Sequence, residues 1–132
     1  MLFTLDTNIC IYLIKNNPAK VRWKVRQFSP SDLAISVITV CELGHGASKS
    51  SDPESNRQTL VKVLAPFEIY NFDEQAASYY GDIRTHFESI GEPAGAMDLV
   101  IAAHARSLSL ALVTNNLRGF ERVPGLHVEN WA

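Results

Sequence analysis

Cysteine is scarce in this chain. Cys10 and Cys41 are its two cysteines in 132 residues, with neither C-x-x-C nor zinc-ligand spacing. That excludes a disulfide-stapled scaffold and a zinc ribbon. Both stand in apolar surroundings and are expected as buried free thiols in a reducing compartment. A surplus of one charge sign is missing as well. Lys and Arg number 12 against 14 Asp and Glu, a formal net charge of −2. Broad electrostatic coating of nucleic acid is thereby excluded, while a local basic patch is not. The apolar N-terminal run is broken by Asp6 and Lys15. It falls short of the ~20 residues of a membrane span and lacks the basic lead of a targeting signal. Repeats and low-complexity segments are absent. What remains is 46% hydrophobic and 20% charged, the balance of a folded chain. The expectation is one cytoplasmic domain, residues 1–132, with no membrane partner.

Apolar runs and helical periods alternate along the chain. Met1 to Leu5 reads as a strand, followed by a helix in "NICIYLIKN" closed by Asn17 and Pro18, and another in "PAKVRWKVRQF" with Val21, Val25 and Phe28 on one face. "LAISVIT", rich in β-branched residues, predicts a second strand running into a helix, "TVCELGHGA". "SKSSDPESN" reads as a loop, "RQTLVKVLAPF" as a helix and "FEIYNF" as a strand. In "DEQAASYYGDIRTHFESIG" the residues Ala76, Tyr80, Ile83, Phe87 and Ile90 step by three or four up to Gly91. A "GEPAGAM" turn, a helix "DLVIAAHARSL", a buried strand "LALVT" and an edge strand "LHVENW" complete the chain. Unbroken apolar strands alternating with helices predict an α/β fold, three layers deep, around a mostly parallel sheet.

Three acids share one kind of position. Asp6 follows the first strand, Glu42 lies in the first turn after the second, and Asp98 opens the helix before "LALVT". In a parallel sheet these places face one edge, where ligands bind. Each acid alone has a structural explanation. Asp6 suits an N-cap, Thr39 and Glu42 fit a capping box, and Asp98 suits a helix dipole. Converging carboxylates, however, repel one another unless a cation lies among them. An all-carboxylate set suits magnesium, with manganese as a substitute, rather than zinc. Such an ion activates water and neutralises a phosphoryl oxygen.

These residues carry a resemblance. "LDTNICIYLIKN" resembles the opening motif of PIN-domain ribonucleases, "ISVITVCELGHGA" their second motif, "GAMDLVIAAHA" their third, and "LALVTNNLRGFERVPGLHVENW" their C-terminal segment. Within that family the length and end-to-end coverage are most similar to VapC toxins. The resemblance implies a magnesium-dependent endoribonuclease, a homodimer, and inhibition by a VapB-type antitoxin whose C-terminal segment lies across the acidic site. It also implies a tRNA substrate, with the anticodon region of initiator tRNA as the expected target. Asp6 and Asp98 would hold the metal, Glu42 would orient or deprotonate water, and Asn116 would hold a water or the scissile phosphate. Asn116 stands where many relatives carry a further acid, which favours one resident ion over two.

Rival readings separate on particular residues. Haloacid-dehalogenase-like phosphatases require a second Asp two residues on, where this chain has Asn8, and receiver domains want a Lys that "VTNNLRGF" lacks. A non-catalytic PIN-like domain binding RNA or protein is the alternative from a different class. His45 is read as a solvated or structural imidazole, and His104, six residues past Asp98, as turned off that face. Candidate RNA contacts are Lys15, Lys20, Arg22, Lys24 and Arg26 around Trp23, together with Arg106, Arg118 and Arg122.

Overall fold

The computed structural model describes residues 2–92 and 94–132, so Met1 of the expected first strand and Pro93 of the "GEPAGAM" turn lie outside the described residues. Strands β1 (Phe3–Leu5), β2 (Leu33–Ser36), β3 (Glu68–Tyr70), β4 (Ala111–Val113) and β5 (Val128–Glu129) form one sheet in the order β3-β2-β1-β4-β5. Every pairing is parallel. The helices are α1 (Thr7–Lys15), α2 (Ala19–Val25), α3 (Val37–Ser48), α4 (Pro53–Leu64), α5 (Glu74–Ser89), α6 (Ala96–Ser107) and the short α7 (Leu117–Phe120).

Parallel strands require crossover connections, and the helices that make them cover both sheet faces. Leu112 and Val113 show why this sequence needs both covers. Successive strand residues point to opposite faces, and both side chains are fully buried. Val113 packs with Ile9, Cys10 and Leu43 on one side, Leu112 with Phe87, Ile101 and Phe120 on the other. The expected three-layer α/β architecture is the one observed.

From β1 the chain moves outward to β2 and β3, then returns to β4 and β5 on the other side of β1. The order therefore reverses between β1 and β4, the place where open α/β sheets leave a crevice at the strand carboxyl ends. Leu5 pairs with Val113 there, and the Asp6 amide donates to the Val113 carbonyl at 3.0 Å.

Several boundaries differ from those expected. β2 ends at Ser36, not Thr39, because the Ser36 hydroxyl accepts from the Ile38 amide and starts α3 at Val37. The β-branched run is drawn into the helix by burial of one face, Thr39, Leu43 and Ala47. The Thr39–Glu42 capping box therefore does not form, and Glu42 sits in the second turn. Cys41, on the other side of that helix, is exposed; Cys10 is buried as expected, and both thiols are free. α1 closes at Asn16, which takes the left-handed conformation (φ 52°) that asparagine tolerates. α4 begins inside the expected loop, where Asp52 accepts from the Ser55 amide and Pro53 occupies the first turn. α6 starts two residues before Asp98. In α5 the apolar stripe holds for Ala76, Ile83 and Phe87, while Ile90 is 50% exposed. Among the described residues no helix is long and apolar enough to cross a membrane.

Candidate active site

Asp6 is placed by the backbone on either side of it. β1 delivers it to the sheet edge, and its Oδ1 accepts from the Ile9 amide at 2.9 Å, capping α1. Its side of the edge is closed by Thr114, the residue that follows β4, which is fully buried. Asp6 as a whole is only 4% exposed. Burial raises its pKa above the ordinary range; bonds from the Thr114 hydroxyl and the Ile9 amide pull the other way, and the charges of Asp98 and Glu42 raise it further.

Asp98 stands in the first turn of α6, at the exposed rim. Partial burial raises its pKa first, and the Glu42 charge adds to it. The three acids, distant in sequence, therefore meet closely enough to repel one another. Among the described residues none of them pairs with a Lys, Arg or His. Nor do three or more His, Cys, Asp or Glu side chains close on a single point there. A cage of protein ligands is thus not what the fold builds. Two carboxylates on a mostly hydrated ion, with a third outside it, is the arrangement magnesium accepts.

Glu42 is half-buried and held by a residue that sequence reasoning missed. The Thr7 hydroxyl donates to its Oε1, and Thr7 Oγ1 also lies 3.4 Å from the buried Thr39 Oγ1. Thr7 follows Asp6 directly, so one short segment sets two of the three acids. Its only sequence signal was its place in "LDTN", where it reads as one more capping residue. Thr7→Val keeps the shape and removes the donor. Cleavage is expected to slow ~10–100-fold through kcat, with KM little changed, the cost of losing an outer-sphere partner; steady-state kinetics on RNA checks it.

Asn116 lies beyond Thr114 on the same edge. Its amide donates to Thr114 Oγ1 at 2.9 Å, and its own Oδ1 accepts from the Gly119 amide at 3.1 Å, capping α7. A Cβ on residue 119 would come within 2.6 Å of Asn116 Nδ2, so any side chain there would push the Asn116 amide group aside. A second polar layer lies outside the acids. Asn8 donates to Asn115 Oδ1 at 3.2 Å, and Asn115 donates to the Tyr12 hydroxyl at 2.7 Å.

His104 is turned away from the acids, as expected, but is not idle. It is buried, and its Nδ1 lies 2.6 Å from Ser36 Oγ, tying α6 to the cap of α3 and hence Asp98's helix to Glu42's. Burial lowers its pKa. The unfolded chain therefore binds the proton more readily. The stability this contributes is complete above the ordinary imidazole value of about 6.5 and is lost as pH falls from there toward the folded value. Urea unfolding at pH 7.5 and pH 5.5 is expected to show that loss, and His104→Gln to remove it.

The family model of the PIN domain matches residues 3–126. The tRNA(fMet)-specific endonuclease VapC of Salmonella typhimurium is 44% identical over 130 residues, 98% of each chain. Ribonuclease VapC2 of Rickettsia felis is 40% identical over 132 residues, covering 99% of this chain and 98% of that one. This chain belongs to the VapC branch of the PIN-domain family. The VapC chain in the DNA-bound VapBC structure from Salmonella typhimurium superposes with a TM-score of 0.94 at 44% identity over the whole of both chains. VapBC2 from Rickettsia felis, bound to a promoter DNA fragment, gives 0.94 at 39% over the same full coverage. As a VapC-type PIN protein the chain is an endoribonuclease. Asp98 lines a cavity of about 170 Å³, which abuts a groove of about 460 Å³ through the shared residues Phe87, Ala94 and Leu99, and Glu42 lines another groove of about 390 Å³. Grooves that run on from the acids suit a polymeric RNA substrate.

Proposed function

We propose that the chain, residues 1–132 as one nuclease domain, is the toxin of a toxin–antitoxin pair that cuts tRNA in the cytoplasm. The anticodon region of initiator tRNA is the target we favour. Full-length similarity to a tRNA(fMet)-specific endonuclease supports the substrate. Similarity to toxin chains seen in VapBC complexes supports a VapB-type antitoxin. A homodimer is carried over from the family likeness.

The observation that carries the chemistry is Asp6: an aspartate 4% exposed, without a cationic partner among the described residues, and raised in pKa by its burial first and by two neighbouring acids after it. Such a group calls for a cation, and its all-oxygen surroundings fit magnesium, or manganese in its place. Asp6 and Asp98 would hold it. When bound, the ion supplies charge neutralisation at a phosphoryl oxygen and a more acidic water. The chain's own side chains do the rest. Thr7 fixes Glu42 through Oε1, leaving Oε2 free to take a proton from the attacking water. Thr114 bonds Asp6, and Asn116 keeps Nδ2 for a water or phosphate oxygen. With Asn116 in place of a further acid, we read one resident ion.

The test is cleavage of purified tRNA by antitoxin-free protein in magnesium, in EDTA, and as Asp98→Asn. Discrete fragments in magnesium alone, with ends in the anticodon region of initiator tRNA, are the expected result. Intact tRNA throughout, beside active cleavage of another RNA, would remove the tRNA reading.

A further inference from the structure

We propose that Arg122 binds a phosphate of the RNA chain next to the acidic cluster, and that Glu92 occupies its guanidinium until the RNA replaces it. The inference rests on the placement of the active site at Asp98. Asp98 and Arg122 are walls of the same cavity, about 170 Å³ in volume. Its other boundaries include Gly95 and Gly119, which have no side chain to stand between the acid and the cation.

Arg122 is already aimed. Its guanidinium lies 5.3 Å over the ring of Phe87, which is itself buried, and its Nη1 pairs with Glu92 Oε2. Both partners reach solvent, with side chains 38% and 47% exposed. An ion pair so exposed contributes little and exchanges readily. A phosphodiester offers two oxygens to the guanidinium fork, a stronger and more directional partner than one carboxylate oxygen. Electrostatics supplies the need. Three clustered acids and a net charge of −2 repel a polyanion, so RNA can approach this edge only where a local cation receives it. Glu92 meanwhile keeps that cation from folding onto Asp98 and neutralising it.

The test is equilibrium binding of a labelled, mixed-sequence single-stranded RNA, in EDTA to stop cleavage, across a salt series. Arg122→Ala is expected to weaken binding about tenfold, as loss of a charge-assisted contact does, and to reduce the slope of log K against log salt by about 0.7. Arg122→Lys should restore the slope while recovering only part of the affinity. Glu92→Gln should tighten binding about two- to fivefold by removing the competing anion, a gain that a merely structural ion pair would not give. Wild-type affinity and slope in Arg122→Ala, or weaker binding in Glu92→Gln, would overturn the proposal. Protein that binds this RNA yet leaves purified tRNA intact would remove the tRNA reading while Arg122 is judged by the same criteria. Wild type that binds no RNA overturns both.

Discussion

Asp6→Asn is expected to abolish cleavage without loosening the fold. Asparagine caps helices about as well as aspartate, so the bond to the Ile9 amide survives. What disappears is a buried negative charge that two other acids already oppose. In metal-free protein the thermal midpoint should therefore stay level or rise, since an unpaired buried carboxylate is a cost. Activity should fall well beyond the ~10–100-fold typical of losing an outer-sphere partner. Magnesium should raise the melting temperature of the wild type and leave that of Asp6→Asn unmoved, because only a state that binds the ion gains from it. Asp6→Ala is expected to lose cleavage too, but also about 1 kcal/mol of stability with the cap. Cleavage assays and calorimetry on the two variants separate the two jobs of this residue.

The second large effect is structural. Phe87 is 2% exposed and, with Phe120, is one of two fully buried phenylalanines in the core between α5, α6 and β4. Phe87→Ala is expected to cost ~3–5 kcal/mol through lost burial and the cavity left behind. Against a typical domain stability of about 5–15 kcal/mol that is a large share. The urea midpoint should fall with little change in slope. Because the same ring lies beneath Arg122 and lines the cavity at Asp98, RNA binding should weaken even where the variant remains folded. An unchanged midpoint would show that this core half contributes less than its burial implies.

How far the site can be read from the sequence depends on how each residue is positioned. Asp6, Glu42 and Asp98 were legible as a group because each stands near the carboxyl end of a strand or within the first two turns of a helix whose apolar pattern is plain, and a parallel sheet sends such places to one edge. Thr7 was not, because its role comes from a bond to Glu42, 35 residues away. Asn116 was legible as a polar residue after a strand, but its commitment to α7 was hidden in a helix of four residues. The start of α4 was lost to composition. "SKSSDPESN" is polar enough to read as loop, and α4 has no fully buried residue to supply an apolar stripe. Yet Asp52 and Pro53 were an ordinary cap and first-turn pair. Cys41 was misjudged because its apolar neighbours in sequence belong to the other side of α3. Arg122 stood among several candidate cations, and only the fold places it on the wall that Asp98 shares.

The most direct test of the central claim is calorimetric titration of manganese into metal-free protein, wild type and Asp6→Asn side by side. The account predicts saturable uptake of one ion per chain by the wild type and none by the variant. Equal uptake by both, or none by either, would contradict it.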